Sequence, residues 1–468
     1  MGDEPLKITV SNQLRAENPS PELEAWCRKN LVVDNPEYGK KLRMHLWLGN
    51  TPKQLQLYER DGEALILPYG CLRSLIEQMG EQDSIEVVMP TPVPVWYGAE
   101  VPLYDYQTEA VANALEAQYG ILQSPAGSGK TQMGIAMAVM LGRRTLWLTH
   151  THDLLRQSKD RAEQYVRKTL TGTITEGKVQ IGRGITFATV QTMSKLNLVQ
   201  YRDMWDTIIV DECHRVAGSP TAVTQFSKVL NSLAARHKYG LSATVHRADG
   251  MIAATYALLG DVVYEVPESA VAEKIMTVAV NPRPTGVGLS RDFLDTDGTI
   301  VYAKLITYLT TSAERNRLIA ADLVDNADHS CLILSDRLAH LELLMNSLPS
   351  RLRAQAVMVD GKMTSKTAKA KRAKALEDMR QGTKRYLFAT YTLAKEGLDI
   401  PRLDRLFLTT PQKDYTVVTQ SIGRVARSCE GKGEPVAYDY VDEKMQYLVK
   451  TYKKRCTVYR KLGCRFLE

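Results

Sequence analysis

The sequence predicts an α/β protein with two parallel-sheet domains, preceded by a small α+β N-terminal domain. Three observations carry this. Ser124 to Thr131 reads SPAGSGKT, between the apolar run Gly120 to Gln123 and a helix-like run from Gln132 to Leu141. Two series of short β-like runs alternate with helical patterns, on either side of a stretch rich in proline and glycine around Val266 to Asp297. Such alternation places strands in parallel with helices on both faces. Near the N-terminus, Met89 to Val95 reads MPTPVPV, and alternating prolines make a stiff, extended linker.

The elements follow in order. Residues 1–88 mix helical patterns with strand-like runs such as Met44 to Leu48 and Ala64 to Leu67, and form the accessory domain. Residues 89–102 are the linker. The first parallel-sheet domain, 103–280, opens on a helix beginning at Leu103 to Gln107. Its later strands are Thr145 to Thr149, Ile185 to Thr189, Thr207 to Val210 and Tyr239 to Ser242. The second, 281–468, places strands at Cys331 to Ser335, Ala356 to Val359, Tyr386 to Thr390, Leu406 to Thr410 and Val436 to Tyr440. It has no phosphate loop of its own.

A chain of 468 residues is long enough for two or three domains, each with its own core. The net charge of +7 is modest, so its distribution matters more than its size. No apolar run is long enough to span a membrane, and Met1 to Leu6 is no signal peptide. The seven cysteines are scattered without a C-x-x-C pair, which argues against a zinc ribbon and for reduced, cytosolic thiols. His150 and His152 lie two apart with no third ligand near, so they make no metal site.

SPAGSGKT has the order a phosphate-binding loop requires. Gly127 and Gly129 let the backbone turn its N–H groups toward phosphate oxygens, beside Ser128 and at a positive helix N-terminus. Lys130 supplies a cation for the outer phosphates, and the Thr131 hydroxyl is placed for Mg²⁺. Ser124 stands where the strict motif has its first glycine. Downstream, the apolar strand Thr207 to Val210 runs into Asp211-Glu212-Cys213-His214. Paired carboxylates at a strand end suit Mg²⁺-assisted phosphoryl transfer, Asp211 holding the metal and Glu212 deprotonating the attacking water. Cys213 reads as a packed residue, not a nucleophile.

On these blocks, and on others in the same order, the chain resembles the superfamily 2 helicases over roughly residues 103 to 445. Tyr106-Gln107 resembles the adenine-reading segment, Thr151 to Gln157 motif Ia, and Thr189 to Met193 the strand-contacting block before motif II. DECH resembles motif II, Ser242-Ala243-Thr244 motif III, Ala389-Thr390 to Pro401 motif V, and Gln420 to Arg427 motif VI. The resemblance implies two RecA-like motor domains that use ATP and Mg²⁺. It implies that Gln107 reads adenine and Asp399 meets the ribose. Arg424 and Arg427, beside Gln420, would act as arginine fingers from the second motor domain. Thr151, Gln191, Thr192 and Thr390 would touch the backbone of a single strand, and Ser242 and Thr244 would couple the carboxylates to the second domain. DECH and Leu103 to Gln107 look most like the DNA-directed branch that holds XPB and UvsW. There Arg247-Ala248-Asp249 departs from the Arg-Glu-Asp element, and Tyr104-Asp105 replaces Arg-Pro.

That branch implies a monomeric motor in a bacterial or phage-infected cytoplasm. It would move 3′ to 5′ on single-stranded, forked or branched DNA, in repair, recombination or replication. An RNA helicase, and an ATP-switched clamp that does not translocate, remain alternatives. Two basic runs, Lys362 to Arg385 and Lys450 to Arg465 with Tyr452 and Tyr459, are candidate phosphate contacts, the second with stacking tyrosines. In the N-terminal domain Lys40, Lys41, Arg43 and Lys53 surround Met44 to Leu48. They point to a recognition module held off by the linker, or else to a packing cap.

Overall fold

The computed structural model describes residues 4–125, 127–243, 251–271, 276–288, 290, 292–295, 297–360, 366–395, 398 and 400–467. Thr244, Arg247, Asp249, Lys362 and Asp399 lie outside the described residues. The chain divides into two compact units, one of residues 1–125 and 129–267, the other of 268–468 with 126–128.

The first unit begins with a five-stranded sheet in the order Glu59–Asp61, Ala64–Leu67, Leu14–Glu17, Lys7–Val10, Ser84–Val87. Helix Pro21–Asn30 covers it, burying Leu23 and Cys27. Ser20 caps that helix by accepting from Leu23 N–H at 3.2 Å, and Pro21 opens it where no N–H is needed. Ala64–Leu67 is a strand, as its pattern predicts. Met44 to Leu48 is not. Helix Pro36–Arg43 ends just before it, and the chain leaves that helix through His45 at φ +50° into an exposed loop. Among the described residues the adjacent strands, Val32–Asp34 and Gln54–Gln56, pair only with each other, which leaves the apolar run no sheet to join.

The N-terminal sheet is packed directly on the phosphate-loop sheet, which corrects the expectation of a domain held off by a stiff spacer. Tyr69, Cys71 and Leu75 share one buried cluster with Tyr119 and Ala257. Tyr69 Oη donates to the Arg236 carbonyl at 3.0 Å, and buried Lys238 Nζ donates to the carbonyls of Asn12 at 3.1 Å and Leu230 at 2.8 Å. The proline stretch is docked as well. Val95 N–H donates to Gly142 O at 2.9 Å, and the buried Tyr97 hydroxyl donates to Arg143 O at 2.8 Å. Alternating prolines dictate an extended path, and neighbouring surface decides whether that path hangs free or lies on a partner.

Gly70 makes a close backbone approach across this junction. A Cβ there would sit 2.4 Å from the Gly260 backbone nitrogen and 2.4 Å from the Tyr256 carbonyl. Backbone cannot move aside as a flexible side chain can. Gly70→Val is therefore expected to destabilise the first unit by about 1–3 kcal/mol, the usual range for overpacking. A thermal melt checks this, and an unchanged melting temperature would show that the junction is loose.

The phosphate-loop sheet has eight strands. Their order is Lys178–Gln180, Thr171–Thr175, Ile185–Thr189, Thr145–Thr149, Thr207–Asp211, His237–Ser242, Tyr119–Gln123, Val262–Glu265. All pairings are parallel except that of the edge strand Lys178–Gln180. Helices on both faces leave the central strands no solvent side, so Thr207–Asp211 is buried at every position.

The second unit holds an all-parallel seven-stranded sheet in the order Ala356–Val359, Tyr386–Thr390, Cys331–Ser335, Arg405–Leu408, Val436–Val441, Ala279–Pro284, Arg465–Phe466. Strand Ala279–Pro284 runs through position 280, where the sequence reading places the domain boundary. Pro282 and Pro284, which read as a break, lie inside that strand. Its even positions face Arg465–Phe466, as the Leu467 N–H to Val280 O bond shows, and that short neighbour pairs only Ala279 and Val280. The prolines therefore point their missing N–H groups at an open edge, where no ladder bond is lost.

Two residues of the C-terminal basic run are core rather than surface. On helix Gln446–Lys461, Arg455 makes a bidentate pair with Asp439 at 2.8 and 2.7 Å, and the buried Tyr459 hydroxyl donates to Asp439 at 2.8 Å. Tyr452 is half-buried, with the Arg455 guanidinium 5.5 Å from its ring centroid. The outer face keeps Lys450, Lys453, Lys454, Arg460 and Lys461 exposed. Charge on this helix remains available, but Tyr459 does not.

Candidate active site

The phosphate loop leaves the carboxyl end of Tyr119–Gln123 and enters helix Lys130–Leu141, an arrangement common to ligand sites of open parallel sheets. Gly127 and Gly129 have φ of +88° and +83°, a region costly for any residue with a Cβ. At Gly129 a Cβ would also meet Gln107 Nε2 at 2.5 Å. Ser124 is not among the residues of positive φ, so its backbone does not require the glycine of the strict motif. Its N–H donates to Ser242 O at 2.9 Å, anchoring the start of the loop to the neighbouring strand. Ser124 and Ser128 are buried, and Thr131 is half-buried in the first turn of the helix. Lys130 Nζ donates to the loop's own carbonyls, Ser124 O at 3.3 Å and Pro125 O at 3.4 Å.

The carboxylates lie on the next strand but one. Asp211 ends Thr207–Asp211, pairs in register with Leu241, and is almost fully buried. Burial holds its proton affinity above the ordinary carboxylate range, and the charge of Glu212 adds to this. The Ser158 hydroxyl, donating at 3.0 Å, and the charge of Lys130 act in the opposite sense. A buried carboxylate in that state favours a cation. Glu212 is less buried and sits at φ +51°, a strained conformation for a residue with a side chain. His214 Nδ1 lies 3.3 Å from Glu212 Oε2 and 3.1 Å from Ser242 Oγ. Ser242 thus touches the phosphate loop through its backbone and the carboxylate pair through His214.

This arrangement can position a phosphate chain, a metal and a water. Mg²⁺ takes one or two carboxylates and completes its shell with phosphate oxygens and water. Asp211 and the Thr131 hydroxyl fit that pattern. Among the described residues no group of three or more His, Cys, Asp or Glu forms a denser metal site. Cys213 is fully buried, with its thiol pushed up by burial, and is packed as predicted. His150 is held below the usual histidine range, by burial first and then by the nearby charges of Arg215 and His214.

The other candidates are spread over both units. Gln107 is buried, and its Oε1 accepts from Tyr104 N–H at 3.0 Å, closing a capping box on helix Asp105–Ala117. Its amide faces Gly129, so the adenine-reading candidate does lie beside the phosphate loop. Thr151 caps helix His152–Ala162, accepting from Leu154 N–H at 3.3 Å. Gln191 reaches His150 Nδ1 at 3.3 Å, and Thr189 Oγ1 donates to Thr192 Oγ1 at 2.9 Å. These three follow the carboxyl ends of two paired strands, Thr145–Thr149 and Ile185–Thr189, and so share one edge of the sheet. In the second unit Gln420 and Arg424 lie one turn apart on helix Tyr415–Val425, with Arg427 just past its end. Arg424 donates to Leu398 O at 3.1 Å. Thr390 ends its strand, half-buried.

Sequence reasoning missed Ser158 and gave His214 no role. Helix His152–Ala162 buries Leu155, Ser158 and Ala162 on one stripe, so a hydroxyl on an otherwise apolar face was the available signal.

Comparison with known proteins agrees with this geometry. The family described as type III restriction enzyme, res subunit, matches residues 100–247, and the helicase conserved C-terminal domain matches 314–429. A protein of Acanthamoeba polyphaga mimivirus, named as an ATP-dependent RNA helicase, is 26% identical over 422 residues, covering 86% of this chain and 76% of its own. The DNA 3′–5′ translocase XPB2 of Sulfurisphaera tokodaii is 24% identical over 356 residues, covering 70% and 79%. In fold, the chain is similar to S. cerevisiae Dbp5 bound to RNA and ADP–BeF3, with a TM-score of 0.55 at 15% identity over 78% of this chain and 94% of that one. With a phosphate loop, DECH, two tandem helicase domains and XPB helicases among its relatives, the chain belongs to the superfamily 2 helicases, enzymes that hydrolyse ATP on nucleic acid.

Proposed function

We propose that this helicase is a DNA motor that moves 3′ to 5′ and unwinds or branch-migrates forked DNA. The observation that carries the hydrolytic part is the cluster Ser158–Asp211 and Glu212–His214–Ser242 beside the phosphate loop. In this reading Lys130 and the loop N–H groups hold the outer phosphates, and Asp211 and Thr131 hold Mg²⁺. Mg²⁺ held there would supply positive charge against the phosphate oxygens. Glu212 takes the proton of the attacking water, with His214 fixing its carboxylate. Gln107 reads adenine, Asp399 meets the ribose, and Arg424 and Arg427, supported by Gln420, stabilise the transferring phosphate. Ser242 and Thr244 couple the carboxylates to the second motor domain. Thr151, Gln191, Thr192 and Thr390 hold the sugar-phosphate backbone, contacts that position the strand without reading its sequence. Residues 1–88 form an accessory part that contacts the DNA, and the two motor domains are 103–267 and 268–468.

The choice of DNA and of direction is supported by the XPB relatives, which are named as DNA 3′–5′ translocases or helicases. The second reading, an RNA helicase, is favoured by the name of the mimivirus relative. ATP turnover measured in parallel with single-stranded, duplex and forked DNA and RNA separates them. The proposal expects forked and single-stranded DNA to stimulate most. Preferential stimulation by RNA would replace it with the second reading. Displacement of streptavidin from a biotinylated 5′ end but not a 3′ end is the expected polarity, and no displacement at either end would indicate a clamp. A repair or recombination role in a bacterial or phage-infected cytoplasm follows from the same reading.

A further inference from the structure

The loop that failed to become a strand is an ordered, apolar and basic projection. Helix Pro36–Arg43 closes with two backbone bonds, His45 N–H to Leu42 O at 3.2 Å and Leu46 N–H to Lys41 O at 2.9 Å. This pair of bonds, with His45 left-handed, is a Schellman cap carrying His where glycine is usual. Lys41 Nζ donates to Thr51 Oγ1 at 2.7 Å, and Thr51 N–H to Leu48 O at 3.0 Å, tying the far side of the loop down. The result presents apolar side chains to solvent instead of folding them in. Trp47 is 88% exposed, Met44 57% and Leu46 51%. Scattered apolar residues on a surface need no explanation, but several on one capped loop with the largest at its tip do.

The surroundings of the tip say what it meets. Lys40 and Arg43, on the helix that leads into the loop, and Lys53, just past its end, are exposed, and the helix's one acid, Glu37, lies 3.5 Å from Lys41. Positive charge around an exposed indole suits a polyanion that also offers a flat apolar surface. Unpaired bases are such a surface, and every base has a face on which an aromatic ring can stack. A paired base in a continuous stack does not offer that face.

We propose that Trp47 stacks on an unpaired base of the nucleic acid, with Lys40, Arg43 and Lys53 on the flanking phosphates. The inference rests on the chain acting on polynucleotide, and it adds a site outside the motor motifs. It assigns residues 42–47 a preference for single-stranded arms and for the open point of a fork over continuous duplex.

The test compares the full-length wild type with Trp47→Ala and Trp47→Phe at one fixed salt concentration. Equilibrium binding is read by fluorescence anisotropy on forked DNA, single-stranded DNA and a blunt duplex. Trp47→Ala is expected to weaken forked and single-stranded binding about 10-fold to 100-fold, the usual range for one lost stacking contact, and to leave blunt-duplex binding unchanged. Trp47→Phe should restore most of the loss, since a ring remains. Arg43→Ala should lower the slope of log affinity against log salt by about one. Trp47 is solvent-exposed, and an unchanged melting temperature for each variant excludes misfolding. Equal affinities for wild type and Trp47→Ala would overturn the proposal while leaving the motor reading intact. An equal loss on blunt duplex would overturn the claim that the base is unpaired. Unchanged DNA binding with a shift in oligomeric state on gel filtration would make the tip a protein contact, and also overturns it. If wild type binds no polynucleotide at all, the functional reading falls first and the tip with it.

Discussion

Glu212→Gln should bind ATP and Mg²⁺ about as tightly as wild type and hydrolyse ATP about 10²–10⁴-fold more slowly, the range that one general base contributes. The amide preserves the size and shape of the side chain, so the left-handed backbone at φ +51° sees the same occupant. It removes the acceptor for the water's proton. It also removes the charge that, after burial, raises the proton affinity of Asp211. Asp211 is then ionised more readily, and the metal site is kept or improved. The variant should therefore accumulate in the ATP state and dwell on nucleic acid. Single-turnover hydrolysis and equilibrium nucleotide binding, measured separately, distinguish this from a general loss of the site. Hydrolysis at the wild-type rate would place the base elsewhere, with His214 the next candidate, 3.3 Å from Glu212 and 3.1 Å from Ser242.

What could be read from the sequence follows the range of the forces involved. Strands such as Ile185–Thr189, Cys331–Ser335 and Tyr386–Thr390 fall where the apolar runs place them, because strands buried on both faces are continuous apolar segments. The phosphate loop was legible for a local reason, its glycines and lysine being adjacent in the chain. Partners that meet only through folding were not legible. Ser158 reaches Asp211 across 53 positions, and Lys238 reaches Asn12 across 226. Met44 to Leu48 was misread because an apolar run resembles a strand until something denies it a pairing edge. Arg455 and Tyr459 were misread for the converse reason. A charge and a phenol look like surface until a buried Asp439 accepts both. Likewise the proline stretch fixed its own extended shape but carried no signal of the surface formed by Gly142 and Arg143, against which it lies.

Lys130→Ala should cost about 3–4 kcal/mol of transition-state stabilisation, which is roughly 10²–10³-fold in turnover. The argument rests on position. Lys130 is the first residue of helix Lys130–Leu141, and its ammonium sits over the carbonyls of Ser124 and Pro125, at the mouth of the loop whose glycines have φ of +88° and +83°. A cation there meets phosphate oxygens as charge grows on them, and no other lysine or arginine lies in the loop sequence from Ser124 to Thr131. Folding should survive the change, since alanine is the best helix former and the side chain is only half-buried. Lys130 also lowers the proton affinity of Asp211, so its loss lets Asp211 keep a proton to higher pH. The variant should accordingly need more Mg²⁺ for nucleotide binding as the pH falls, relative to wild type. Lys130→Arg keeps the charge but spreads it over a longer planar group, and should recover little of the rate. Turnover and nucleotide affinity measured across pH, with a melting curve for each protein, decide the matter. Wild-type turnover in folded Lys130→Ala would remove this lysine from the chemistry, and equal losses in binding and turnover would make it a ground-state contact instead.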